Sequence, residues 1–183
     1  MRNRIVTLTI AAAVAAAAAC GSDNTSPPVS KIVKFTASLS PAGEIGANLN
    51  NNPSGNGTFT ATLDTSTNLF TWNVTFQGLT TNVSMGHIHG PYVLGGGTNS
   101  AGVILNFDPA AAPAGATGVT FTGLKAAIAG SASGSYTLSS ANVSATVTGD
   151  SLKKLLLAGN AYVNIHTTAN GGGEIRAQIA RAQ

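Results

Sequence analysis

Gly57-Thr58-Phe59-Thr60-Ala61-Thr62-Leu63-Asp64, then Thr65-Ser66-Thr67-Asn68, then Leu69-Phe70-Thr71-Trp72-Asn73-Val74-Thr75-Phe76-Gln77 is the stretch whose reading decides the fold. Side chains alternate across a strand, so Phe59, Ala61 and Leu63 share one face and Thr58, Thr60 and Thr62 the other. After the turn the same period returns. Phe70, Trp72, Val74 and Phe76 oppose Leu69, Thr71, Asn73 and Thr75. Two such runs around a short polar turn predict a β-hairpin with one buried and one solvated face. Trp72, the single tryptophan, is expected to anchor the core.

Outward from the hairpin the pattern repeats. Lys31–Leu39 places Val33, Phe35, Ala37 and Leu39 on one face. Strands are expected over Val83–His89, Ala101–Phe107, Val119–Leu124, Ser135–Ser140, Asn142–Thr148, Ala161–Thr167 and Gly173–Ala180. Asp150–Ala158 alone has helical spacing, with Leu152, Leu155 and Leu156 recurring, Asp150 or Ser151 as cap and Gly159 as stop. Ser40–Ser54, Gly90–Ser100 and Asp108–Gly118 read as loops. About nine short strands and one helix near 150–158 predict an all-β domain, an antiparallel Greek-key-like sandwich or partly closed barrel.

The first thirty residues stand apart. Arg2 and Arg4 precede an uncharged, Ala-rich run from Ile5 to Ala19, too short for a comfortable membrane span and patterned as an export signal. It ends in Ala17-Ala18-Ala19-Cys20-Gly21-Ser22, which resembles the lipobox of bacterial lipoproteins. The resemblance implies cleavage after residue 19, lipidation of Cys20, and a protein held in the cell envelope by its acyl chains. Gly21 and Ser22, in place of an Asp, resemble the enterobacterial sorting pattern for the outer membrane, which implies the outer membrane or cell surface. Residues 20–30 are a flexible tether and 31–183 one domain. Cys20 is the single cysteine, so the domain has no disulfide. The precursor has 9 basic and 6 acidic residues. Removing Arg2 and Arg4 leaves 7 against 6, a net charge of +1, with no basic cluster beyond Lys153-Lys154. That excludes nucleic acid as a partner and leaves the membrane and a protein or envelope component.

Chemistry concentrates in two places. Gly86-His87-Ile88-His89-Gly90-Pro91 puts two imidazoles on one strand face, and Tyr162-Val163-Asn164-Ile165-His166-Thr167 holds the third histidine. These segments, with Gly173-Glu174-Ile175-Arg176, Leu39-Ser40-Pro41-Ala42-Gly43-Glu44-Ile45 and Phe76-Gln77-Gly78-Leu79-Thr80, resemble the CHRD domain, named for chordin and also found in bacterial exported proteins. The resemblance spans roughly Val33 to Ile179. Gly172 and Ala177 stand where the family often has Pro and Gly. It implies an all-β fold and a non-enzymatic binding or structural module, and it assigns no catalytic residue.

His-x-His spacing on a strand also occurs in copper and zinc sites, including that of copper–zinc superoxide dismutase. If the strand Tyr162–Thr167 lies beside Val83–His89, His166 completes a three-histidine set for Cu or Zn, with Asn164 and Glu174 nearby. Such a set requires ring nitrogens within about 4 Å of one another, since each sits roughly 2 Å from the ion. The other reading makes the histidines scaffold, hydrogen-bonded to loop carbonyls at the Gly90-Pro91 turn. Glu174 and Arg176 share a strand face and read either as a salt bridge with a neighbouring strand or as an acid/base pair. Gly43-Glu44-Ile45 echoes Gly173-Glu174-Ile175, as chance or as two similar edge structures. Gly130-Ser131-Ala132-Ser133-Gly134 has Ala where a nucleophile elbow needs Ser.

Overall fold

The structure, a computed structural model, describes residues 31–44, 49–93 and 100–183. The export signal, Cys20 and the tether lie outside the described residues. Ten strands and one α-helix follow in order: β1 Ile32–Leu39, β2 Asn56–Asp64, β3 Leu69–Gln77, β4 Val83–His89, β5 Val103–Asn106, β6 Thr117–Thr122, β7 Gly130–Thr137, α1 Gly149–Ala158, β8 Tyr162–Thr167, β9 Ile175–Gln178 and β10 Ala180–Arg181.

They form two antiparallel sheets, one ordered β10-β1-β2-β3-β7-β6 and the other β5-β4-β8-β9. The decisive hairpin forms as expected, with Phe59 opposite Val74 and Ala61 opposite Trp72. Its alternation is the reason: Phe59, Leu63, Phe70 and Val74 are fully buried, while the intervening threonines are exposed. β7 adds to the far side of β3, although three strands separate them in the chain. That crossing between sheets gives a sandwich rather than a closed barrel. One edge is stitched: Ser40 and Arg176 exchange backbone hydrogen bonds at 3.3 and 3.1 Å, joining the end of β1 to β9.

The two sheets share one core. Trp72 of the large sheet stacks on Phe107, just after β5 of the small sheet, at a ring separation of 6.3 Å. Gly134 of β7 lies directly under Trp72, where an added Cβ would strike the indole. The outer face of the large sheet carries paired hydroxyls: Thr71 with Ser135 at 3.0 Å, Thr120 with Ser133 at 3.0 Å and Thr122 with Ser131 at 3.1 Å. Cross-strand pairing of this kind ties strands together where no charge is available.

The helix begins earlier than its pattern suggests. Thr148, not Asp150 or Ser151, is the cap, its hydroxyl accepting the Ser151 N–H at 3.2 Å, and Asp150 falls in the first turn. There its charge complements the helix dipole. Gly159 closes the helix at φ 70°, as only glycine does without strain. Leu152 and Leu156 enter the core, and Lys153 Nζ reaches back to Asn68 in the hairpin turn at 2.6 Å. Asn142–Thr148 is not a strand. It is a tight loop with a single bridge between its end residues: Val143, Ala145 and Val147 alternate, but the segment folds back on itself, with the Val143 and Ser144 N–H groups donating to the Val147 carbonyl. The expected last strand is split into β9 and β10 at Ile179, where the chain passes from one sheet to the other. Among the described residues, no helix is long and apolar enough to cross a membrane.

Candidate metal centre

β4 lies between β5 and β8, an interior strand buried on both faces from Gly86 to His89. Ile88 points into the core with 0% exposure. His87 and His89 point the other way and are nonetheless buried, at 5% and 7%. On β8 the same division holds: Val163 and Ile165 face the core, while Tyr162, Asn164 and His166 share the histidine face. The register sets His87 opposite Asn164, His89 opposite Tyr162 and His166 opposite Met85. The two histidine-bearing segments are thus neighbours, and all three imidazoles converge.

His87 Nδ1 lies 3.2 Å from His166 Nε2. The Nδ1–H of His89 donates to the Ala101 carbonyl at 2.9 Å, and the Nδ1–H of His166 donates to the Gly171 carbonyl at 3.0 Å. A carbonyl only accepts, so these bonds fix the tautomers of both rings with the lone pair on Nε2; that of His166 accepts the Nδ1–H of His87, and that of His89 is bare. The partners come from loops before β5 and before β9, not from the Gly90-Pro91 turn. His89 Nε2 is buried and meets no hydrogen-bond partner among the described residues. One ring nitrogen from each histidine lies within 4.8 Å of the others. That is about 0.8 Å wider than two metal–nitrogen bonds laid end to end, so the rings converge without reaching the spacing of about 4 Å that a shared ion requires.

The site is electrically neutral. Burial drives His87 down to about 3, and the neighbouring His166 and His89 push the same way. Burial drives His89 down to about 4 against the pull of the Ala101 carbonyl, with His166 and Arg176 adding to the fall. Burial also lowers His166, opposed by its bond to Gly171. Three uncharged imidazoles with oriented lone pairs are what a late transition metal binds.

Around them lies a polar but enclosed layer. Tyr162 stacks on His89 with ring centroids 4.8 Å apart and planes 2° from parallel. The Arg176 guanidinium sits over Tyr162 at 3.5 Å and over Tyr92 at 4.4 Å. Glu44 stands beside Arg176 and the Asn164 amide, and burial raises its carboxyl to about 7 in spite of both. Glu174, by contrast, turns away from the histidines. Its carboxylate accepts from Thr80 N–H at 2.7 Å, Thr80 hydroxyl at 2.6 Å, Thr167 hydroxyl at 2.7 Å and Asn170 amide at 3.1 Å. Burial alone would raise it, and those bonds together hold it below the usual carboxylate range. Glu174 therefore ties the β3–β4 loop and the β8–β9 loop to the end of β8, while Arg176 lies over the tyrosines.

The echo of Gly43-Glu44 in Gly173-Glu174 has a spatial counterpart. Gly173, at φ 128°, lies against the Glu44 carboxyl and the Asn164 amide, and Gly43 lies on the Arg176 carbonyl. The two segments are in mutual contact. Tyr162 and Glu44 are not legible as neighbours of the histidines from motif spacing alone. Strand parity on Tyr162–Thr167 was the usable signal for Tyr162.

A concavity of about 460 Å³ lies on the outer face of the large sheet. Lys34, Thr36, Thr60, Thr62, Thr71 and Asn73 line it. It is built by other strands than the histidine site.

No curated protein and no solved structure matches the chain significantly. The sequence profile of the CHRD domain matches residues 35–179, from within β1 to just past the end of β9 and including both histidine segments, and the chain belongs to the CHRD domain family.

Proposed function

We propose that the chain is an exported CHRD module, anchored through Cys20 in the bacterial envelope, whose histidine face binds Cu or Zn without catalysing a reaction of its own. One observation carries the metal reading. His87, His89 and His166 bring neutral ring nitrogens within 4.8 Å of one another, and two of the rings already have their Nδ1–H committed to carbonyls. Carbonyl-oriented imidazoles behind a metal are the usual outer arrangement of such sites. Calorimetric titration of the purified full chain with Cu(II) and Zn(II), beside His87→Ala/His89→Ala, tests it. The reading expects one-to-one binding that the double variant loses.

A second reading keeps the histidines as scaffold, favoured by the hydrogen bond that each ring makes without any ion. In that case neither metal binds, and the double variant simply melts lower. The module would then act through a protein or envelope partner, for which the concavity of the large sheet is available. The anchor is tested separately: Cys20→Ser should move the protein from the membrane fraction to the soluble one.

A further inference from the structure

Met85 stands where a fourth donor would. It is the cross-strand partner of His166, and such pairs hold their Cβ atoms about 4.5–5.5 Å apart on one face of the sheet. Its own neighbours settle which face that is. Gly86 points into the core, where an added Cβ would meet Phe107, Ile165 and Phe121, so Met85 and His87 on either side point outward with His89. The irregularity between Val83 and Met85 explains why Val83, of the same parity, is buried in the core instead. Met85 is 42% exposed beside three histidines that are each under 8% exposed. Met85 is thus a large side chain only partly covered, at the rim of a buried imidazole cluster.

We propose that Met85 supplies its thioether sulfur to the cluster of His87, His89 and His166, and that the resulting set of donors selects Cu(I) over Zn(II). The inference rests on the reading of the histidines as a metal site and specifies its metal. Two arguments lead to it. Thioether sulfur is a soft donor that suits Cu(I) and has little affinity for Zn(II). The three histidines are grouped with no carboxylate or cysteine among the described residues, so every donor is neutral. A buried ion then keeps its full charge, and the cost of burying charge falls steeply from a divalent to a monovalent cation. Methionine's three rotatable bonds let the sulfur swing over the cluster without moving the backbone.

The experiment uses the purified full chain in mild detergent, titrated anaerobically with Cu(I) against a colorimetric chelator, and separately with Zn(II). Wild type is compared with Met85→Leu, which keeps the volume and removes the sulfur. Met85 is exposed, so the variant folds, and its melting temperature confirms that. The expected result is stronger binding of Cu(I) than of Zn(II), and roughly a tenfold loss of Cu(I) affinity in Met85→Leu with Zn(II) binding unchanged. X-ray absorption at the copper edge should show one sulfur neighbour in wild type and none in the variant. Nitrogen-only copper with identical affinities in both proteins overturns the role of Met85 and leaves the histidine site standing. Preference for Zn(II) overturns the selectivity. Failure of wild type to bind either metal overturns both this inference and the reading beneath it.

Discussion

The Tyr162 hydroxyl and the imidazole of His89 are fixed by the same residue from opposite sides. Ala101 gives its N–H to the tyrosine at 3.1 Å and takes the His89 Nδ1–H on its carbonyl at 2.9 Å. The rings of the two residues then stack in parallel. The loop before β5 is thereby clamped to the histidine face through one peptide unit on each side.

Tyr162→Phe keeps the stack and removes the clamp. The Ala101 N–H loses its acceptor, a loss of about 1–2 kcal/mol. Urea unfolding should show a lower midpoint at unchanged slope. If the histidines hold metal, affinity should fall as well, because the His89 tautomer is less firmly set. An unchanged midpoint would show that the loop finds another acceptor.

Acid should destabilise the metal-free protein. His87 and His89 stay neutral to about 3 and about 4 when folded, against 6.5 as the ordinary value. Between those limits the unfolded chain takes up protons that the folded chain refuses, so stability falls as pH drops below the ordinary histidine range. His166, lowered in the same sense, adds to this. Glu44 opposes it: raised from 4.5 to about 7, it favours the folded state at low pH and loses that contribution as pH rises through 7. Three imidazoles outweigh one carboxyl. The urea midpoint at pH 5 should lie below that at pH 7, and equal midpoints would contradict the buried, neutral state of the cluster.

Glu174 should be among the costliest side chains to remove. Glu174→Ala strands donors from Thr80, Thr167 and Asn170 at once, a loss of about 3 kcal/mol or more. Glu174→Gln retains one acceptor oxygen and should fall between. Thermal unfolding of both variants orders them, and near-equal melting temperatures would mean that the loops relax around the gap.

Glycine substitution separates core from surface. In Gly134→Ala the new methyl meets the Trp72 indole, and overpacking of this kind costs about 1–3 kcal/mol. Gly102→Ala has open space and a stability within about 0.5 kcal/mol of wild type. A neutral Gly134→Ala would show that Trp72 shifts freely, against its burial at 1% exposure.

Strand parity made much of this architecture readable in the chain itself. Phe70, Trp72, Val74 and Phe76 recur every second residue, and the hairpin follows with its register. Parity also put His87 and His89 on one side of β4. The pairing of β4 with β8 rests on contacts between residues almost eighty positions apart, and only the fold supplies it. The Ala101 and Gly171 carbonyls were invisible for a different reason: any residue carries a carbonyl, so no side-chain identity marks the loops that orient the rings. Thr148 was passed over as a cap because Asp150 and Ser151 are equally good candidates by composition. Asn142–Thr148 has strand-forming residues and no partner strand to use them.

The hydroxyl pairs Thr71–Ser135, Thr120–Ser133 and Thr122–Ser131 have an effect beyond holding strands together. Dissolved salt weakens attraction between exposed ions and leaves bonds between neutral hydroxyls almost untouched. With 8% of its residues charged, the chain offers salt little to act on. Its folding should hardly register the difference between fresh water and brine.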